Sequence, residues 1–463
     1  MPFFRFAVLA VTCLAFALAC TSTTAREYSD AELSANARVR STATVDDVAR
    51  ALELAELGPL AIALPQAPSE LRPDMEEFWH AAAYAWNPEL RALRREVRAA
   101  RAERGSAGQP LPIQGQGMLL DLGDPSAEVE FQAMVDVLGL LGVGPSAAAS
   151  ALAQEQARAA LASFEARAWS LRFEVDRARV ELAAAKSLET ALAALHGECT
   201  AVRPRIELLA ARGWIGRGMS EGALSALHML EHHQSLARLE ENRARANLAA
   251  LCGLHPAHPA FDEMQSGVID RFHPEDVELT DPKDAELLAS LPELRSARLE
   301  LAVAEAELVR MARERWPMLG IGPRIMVRPD ERLVGGMLGF SVPFPGALEG
   351  AILASRERRD EAWEALEDDL VSARARIAST EREFTESIEL AEEHALLADI
   401  SMARMLVATQ AEFLADPERL ERWSFAVGER MDSLMALVRA RAELVRAWLD
   451  CEEARGARAE VQP

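Results

Sequence analysis

The chain is written twice. Asn87-Pro88-Glu89-Leu90-Arg91 opens a charged, Ala-rich stretch, and Leu291-Pro292-Glu293-Leu294-Arg295 opens a second one. Each leads into alternating apolar residues that begin at a proline (Pro112, Pro317) and end at another (Pro145, Pro345), followed by a very long helical pattern. A period of this length exceeds any solenoid unit. It predicts two copies of one half-domain, each ordered helix, two strands, long helix, return helix.

In the first copy, residues 74–260, a helix over 74–105 is followed by strands over 110–122 and 128–142, turning at Gly123-Asp124-Pro125. Val129, Phe131, Ala133, Val135 and Val137 alternate with Glu128, Glu130, Gln132 and Asp136, the period of a strand. A long helix over 146–212 carries Phe164, Ala168, Leu171, Val175, Ala178, Leu182 and Ala185 at spacings of four and three, a coiled-coil seam. It reaches roughly 100 Å at 1.5 Å per residue. Gly213, Gly216 and Gly218 end it, and a return helix covers 217–251. After a linker over 261–282, the second copy (283–455) repeats the plan: helix 283–315, strands 317–328 and 332–344 around Arg328-Pro329-Asp330, long helix 347–415, return helix 429–454. Trp363, Leu366, Leu370, Ala373 and Ile377 mark its seam. A tail over 456–463 follows. The expected class is mainly α with a small β part.

Half of the 463 residues are hydrophobic but only 5% are aromatic, a composition suited to long helices packed side by side. The net charge of −23 argues against nucleic acid as a partner, because phosphates are repelled. At the start, Arg5 and the apolar run from Phe6 to Ala19 read as an export signal (1–19), too short to span a bilayer. The run ends in Ala17-Leu18-Ala19-Cys20, which resembles a lipoprotein lipobox with Cys20 as the lipidated residue. Ordinary cleavage near Ala19 is the alternative. Thr21, rather than Asp, follows the cysteine, a pattern that in bacterial lipoproteins points to the outer membrane. Residues 20–73 then read as a lipidated tail and a proline-containing strap. Cys199, Cys252 and Cys451 are too few and too scattered for a zinc site or a disulfide framework.

After the signal no stretch has the apolar length of a spanning helix, so any membrane-spanning part must be a closed β-barrel. The strand runs are long enough to cross a bilayer when tilted. Val129, Phe131, Val135, Ile321, Ile325, Leu338 and Phe340 are the expected lipid-facing positions. Four strands cannot enclose a lumen, so several chains must pool them. Two soluble hairpins covering the end of a helical bundle are the competing reading.

The chain from about Asp74 to Arg455 resembles the TolC-like outer-membrane efflux proteins. The carriers are Asn87-Pro88-Glu89-Leu90, the Trp316-Pro317 entry to the third strand and the exit Phe340-Ser341-Val342-Pro343-Phe344. The return-helix starts Arg217-Gly218-Met219-Ser220 and Phe425-Ala426-Val427-Gly428-Glu429-Arg430 complete them. The resemblance implies a homotrimer in the bacterial outer membrane, sharing a twelve-stranded barrel that continues into a long periplasmic α-helical coiled-coil barrel. It implies a periplasmic adaptor (membrane fusion) protein and an inner-membrane pump of RND or ABC type as partners. It implies a passive exit duct for small molecules or metal ions, with no cofactor. Gly218, Met219, Ser220, Gly428, Arg430 and Asp432 would form the periplasmic tip and gate, Arg430 acting as a latch. Leu434 and Leu437 stand where some members carry constriction-forming aspartates, so a hydrophobic constriction competes with a cation-selective one. The duct of a type I protein secretion system, and a lipid-anchored periplasmic scaffold or adaptor without a pore, are the alternatives.

His228-Met229-Leu230-Glu231-His232 matches H-x-x-E-H, a two-histidine zinc motif with a general base. It lies in a coiled-coil pattern, and a solvated helix face is the plainer account of His228 and His232. No constellation of nucleophile, base and orienting group occurs, so the chain is not read as an enzyme.

Overall fold

In the computed structural model the described residues are 43–55, 72, 74–107, 114–120, 128–136, 144–264, 269, 272, 274, 284–315, 318–327, 332–341, 346, 348–398 and 400–456. The signal, Cys20, most of the strap, the strand-turn residues 123–125 and 328–330, Pro317, Val342-Pro343-Phe344 and most of the linker and tail lie outside them. The described residues from Thr44 onward form one compact unit.

The elements are α1 (Val45–Ala55), α2 (Glu76–Trp86), α3 (Pro88–Ala107), β1 (Gln114–Leu120), β2 (Glu128–Asp136), α4 (Pro145–Thr200), α5 (Arg203–Ala211), α6 (Arg217–Cys252) and α7 (Ala260–Glu263). They continue as α8 (Asp284–Ser290), α9 (Pro292–Arg313), β3 (Met318–Val327), β4 (Arg332–Ser341), α10 (Glu349–Ala398), α11 (Ile400–Ala415) and α12 (Leu420–Arg455). The protein is mainly helical. The four strands form one antiparallel sheet in the order β1-β2-β3-β4.

The helices break where the chemistry demands it. Residues 74–105 are two helices, not one. Asn87 takes an extended ψ of 128°, as a residue before proline does, and closes α2 while opening α3. Its Oδ1 accepts from the Glu89 and Leu90 amides at 3.0 and 3.2 Å, capping α3, and its Nδ2 donates to the Leu251 carbonyl at 3.0 Å. Leu291 before Pro292 divides 283–315 into α8 and α9 in the same way. The stretch 146–212 breaks before Arg203-Pro204, because proline removes an i→i−4 hydrogen bond. The stretch 347–415 is divided into α10 and α11.

All seven seam residues of α4 are buried, and α4 packs against α3, α6, α9 and α12. On α10, Ala373 and Ile377 are buried, but Trp363 is 60% exposed and drops out of the expected seam. One core surrounds Trp79, Phe164 and Phe261, where α2, α4, α6 and α12 meet. A second gathers Ile206, Leu230, Phe413 and Trp423 at the far ends of the helical hairpins.

Candidate functional site

At the first hairpin end, α5 closes through Gly213, whose φ of 71° lets the Trp214 amide reach the Leu209 carbonyl at 3.0 Å. Ile215 is buried beneath the turn, while Trp214 is 62% exposed with the Arg212 guanidinium 5.7 Å from its ring centre. Gly216 enters α6 in an extended conformation. Gly218 is exposed, Met219 packs half-buried on the apolar cluster, and Ser220 is buried with its hydroxyl donating to the Arg217 carbonyl at 2.9 Å. These three therefore occupy the first turn of α6. Trp214 escaped the sequence reading, although a tryptophan between glycines at a turn is a legible signal.

The second hairpin end differs from expectation. The return helix begins at Leu420, not at residue 429. Asp416 sets this start. Its side chain accepts from the Glu418 amide at 3.1 Å, Pro417 begins a single 3₁₀ turn, and Arg419 reaches back to Glu412 at 3.1 Å. Gly428, Arg430 and Asp432 consequently lie inside α12 rather than at its tip. Met431, Met435 and Val438 turn into the core, Asp432 is exposed, and Leu434 packs half-buried against the same core. Leu437 is half-buried one turn further along. Phe425, in the second turn of α12, is 66% exposed. Arg205 of α5 ties the two hairpin ends together, donating to the Leu414 carbonyl at the end of α11 at 2.8 Å.

The strand register sorts the sheet into two faces. Phe131 pairs with Ile325 and Ile325 with Val334; Val135 pairs with Ile321 and Ile321 with Leu338; Leu319 pairs with Phe340. Directly opposed residues share a face. Val129, Phe131, Val135, Ile321, Ile325, Leu338 and Phe340 therefore belong to one face, together with Val334. Ile321, Leu338 and Val334 are 49%, 69% and 77% exposed. Glu128, Glu130, Gln132, Arg324 and several glycines register on the other face together with Met326, Leu333 and Met337, while Arg332 registers on the apolar face opposite Val327.

A second exposed apolar line runs along α10. Leu353, Val371 and Leu396 are separated by whole numbers of helical turns and lie opposite the buried Ala373, Ile377, Phe384 and Ala391. Among the described residues no helix is long and apolar enough to cross a membrane.

The histidine motif resolves into ion pairing. Glu231 lies 3.4 Å from Arg203 and 3.5 Å from His196, so its carboxylate joins α6 to α5 and the end of α4. His228 and His232 are exposed, and the His232 ring meets that of His233 at 5.9 Å. Among the described residues no group of three or more metal-ligating side chains converges. All three described thiols are buried, and burial pushes that of Cys199 up to about 12, helped by Glu198. The same desolvation raises Cys252 and Cys451.

No protein-family model and no curated protein matches the chain. Solved structures do match its fold. A membrane protein from Pseudomonas aeruginosa superposes with a TM-score of 0.70 at 16% identity, over 86% of this chain and 98% of that one. CusC, solved in a study of folding and transmembrane channel formation, gives 0.70 at 14% identity over 87% and 99%. The Neisseria gonorrhoeae MtrE outer membrane channel, in its open state, gives 0.68 at 15% identity over 83% and 89%.

Proposed function

From the fold of the TolC-like outer-membrane channels, which this chain has, we propose that it is the exit duct of a tripartite efflux system. Small molecules or metal ions delivered by an inner-membrane pump through a periplasmic adaptor would leave the cell through it, without bond chemistry. The observation that carries this reading is the sheet. Its β2–β4 register places Val129, Phe131, Val135, Ile321, Ile325, Val334, Leu338 and Phe340 on one face, and Ile321, Val334 and Leu338 there are exposed to solvent in the single chain. Such a face is costly in water and stable in lipid.

The outer strands β1 and β4 leave two edges to be paired, and a bilayer tolerates no open edge. Three copies of a four-stranded sheet close a twelve-stranded barrel, and the apolar line on α10 supplies a surface for a neighbouring copy. We assign residues 1–19 to a signal peptide, Cys20 to lipid attachment, and 74–260 and 283–455 to the two repeats, with the helices bounded as described above. Gly218, Met219 and Ser220 would stand at the periplasmic tip. Arg430 and Asp432 would act further up α12, with Leu434 and Leu437 narrowing the lumen.

The test is single-channel recording with the purified full chain in planar bilayers. Stepwise conductance is expected, and it should be lost in Ile321→Lys and Leu338→Lys. Full membrane insertion of those variants, or a wild-type protein that never conducts, contradicts the proposal.

A further inference from the structure

The sheet keeps its methionines apart from its other apolar residues. Met118, Met134, Met318, Met326 and Met337 are the methionines of β1–β4, five of the chain's 15. All five register on the face that carries Glu128, Glu130, Asp136 and Arg324, and none on the face of Val129, Phe131, Ile321 and Ile325. Side chains recruited only as apolar filler have no reason to avoid the apolar face. A thioether differs from the branched and aromatic residues there in one respect, a polarisable sulfur that can bind a soft metal ion.

Two of the five flank a carboxylate. Met118 of β1 is directly opposite Glu130 of β2, and Glu130 is directly opposite Met326 of β3. Neighbouring strands lie about 4.8 Å apart, so the three residues form one row about 10 Å long across the sheet. Directly opposed residues have Cβ atoms about 4.5–5.5 Å apart, and methionine's three rotatable bonds let a sulfur span that distance. The row brings together two thioethers and one negative charge. Among the described strand residues this face holds three carboxylates and one guanidinium, Arg324, which registers opposite Gln132 in the next row. That balance favours a cation.

We infer that the row Met118, Glu130 and Met326 binds a soft monovalent metal ion, Cu(I) or Ag(I). Thioethers select such ions, whereas alkali and alkaline-earth ions prefer oxygen donors and Zn²⁺ prefers nitrogen and thiolate. One carboxylate balances one positive charge. Thioethers are a donor class apart from histidine, thiol and carboxylate, which nowhere converge in threes among the described residues. The site rests on the strand register alone. That its ion is cargo of the duct rests on the channel reading, which puts this face on the lumen.

Methionine-methyl NMR of the full chain in nanodiscs, titrated with silver nitrate in chloride-free buffer, decides the matter. Signals are assigned by replacing methionines singly with leucine, a swap close in volume that should leave the melting temperature unchanged. The Met118 and Met326 methyl signals are expected to shift together, with one ion per chain. Met118→Leu read at Met326, Met326→Leu read at Met118, and Glu130→Gln read at both should each weaken binding about tenfold. Potassium nitrate should leave both signals in place. Because the methionine methyl is the readout, Ag(I) taken up by the thiols of Cys199, Cys252 and Cys451 does not enter it. Unmoved signals, shifts confined to methionines outside the row, an equal response to potassium, or undiminished binding in these variants overturns the assignment. A chain that binds at the row but never conducts keeps the site and loses the duct. One that conducts with unmoved signals keeps the duct and loses the site.

Discussion

His80 Nε2 lies 2.8 Å from Asp176 Oδ1, joining α2 to the middle of α4 inside the main core. Arg179 Nη1 reaches the same oxygen at 2.9 Å. An ionised carboxylate only accepts, so both neighbours donate to it. Removing Asp176 leaves the buried Arg179 with only the more distant Glu76 carboxylate, 3.7 Å away, and Asp176→Ala is expected to cost about 3 kcal/mol, measured by denaturant unfolding.

The same pair sets an acid limit. Desolvation pushes the Asp176 carboxyl upward, but His80 and then Arg179 overcome it and hold it at about 2, below the ordinary 3.8. A depressed carboxylate stabilises the fold fully above its unfolded value and loses that contribution as pH falls from about 4 to about 2. The contribution is roughly 2 kcal/mol. Melting temperatures of wild type and Asp176→Asn should converge over that window and stay apart above it. Parallel curves across the whole range contradict the assignment.

Gly253 ends α6 with a φ of 65°, and a Cβ added there would stand 2.7 Å from the Trp86 carbonyl oxygen. Gly213 has a similar φ of 71° but open space around it. Gly213→Ala should cost about 1–2 kcal/mol, the left-handed penalty alone. Gly253→Ala should cost clearly more, because backbone must move. Equal melting shifts would show that the close approach is not maintained.

The buried thiols should be silent. Cys199, Cys252 and Cys451 are expected to resist maleimide at neutral pH in the folded protein and to react fully in denaturant. Mass spectrometry of labelled peptides reads both states. Labelling of Cys199 in the native state would mean that the hairpin end opens.

Lys at Ile321 or Leu338 should hinder assembly in the membrane at a cost of roughly 2–4 kcal/mol near the midplane. Lys at Val371 or Leu396 on α10 should leave the protomer folded and separate the copies. Fractionation reads the first pair of variants and native mass the second.

Much of this fold was legible because its signals are periodic. The α4 seam from Phe164 to Ala185 and the alternation from Val129 to Val135 need only spacing, and the structure puts the seam in the core and registers the alternating apolar residues on one sheet face. What escaped depends on single hydrogen bonds or on distant segments meeting. The division at Asn87 arises from one side chain capping a helix while donating to Leu251, far along the chain. The start of the second return helix was misread because Gly428 looked like a tip glycine, whereas Asp416 and Pro417 start the turn that leads into α12.

The most direct test of the central claim is the native mass and particle shape of the full chain extracted from outer membranes in mild detergent. The account predicts a trimer with three-fold symmetry and a detergent belt confined to the end that carries the strands. A monomer or dimer released without detergent would contradict it and leave a scaffold without a pore.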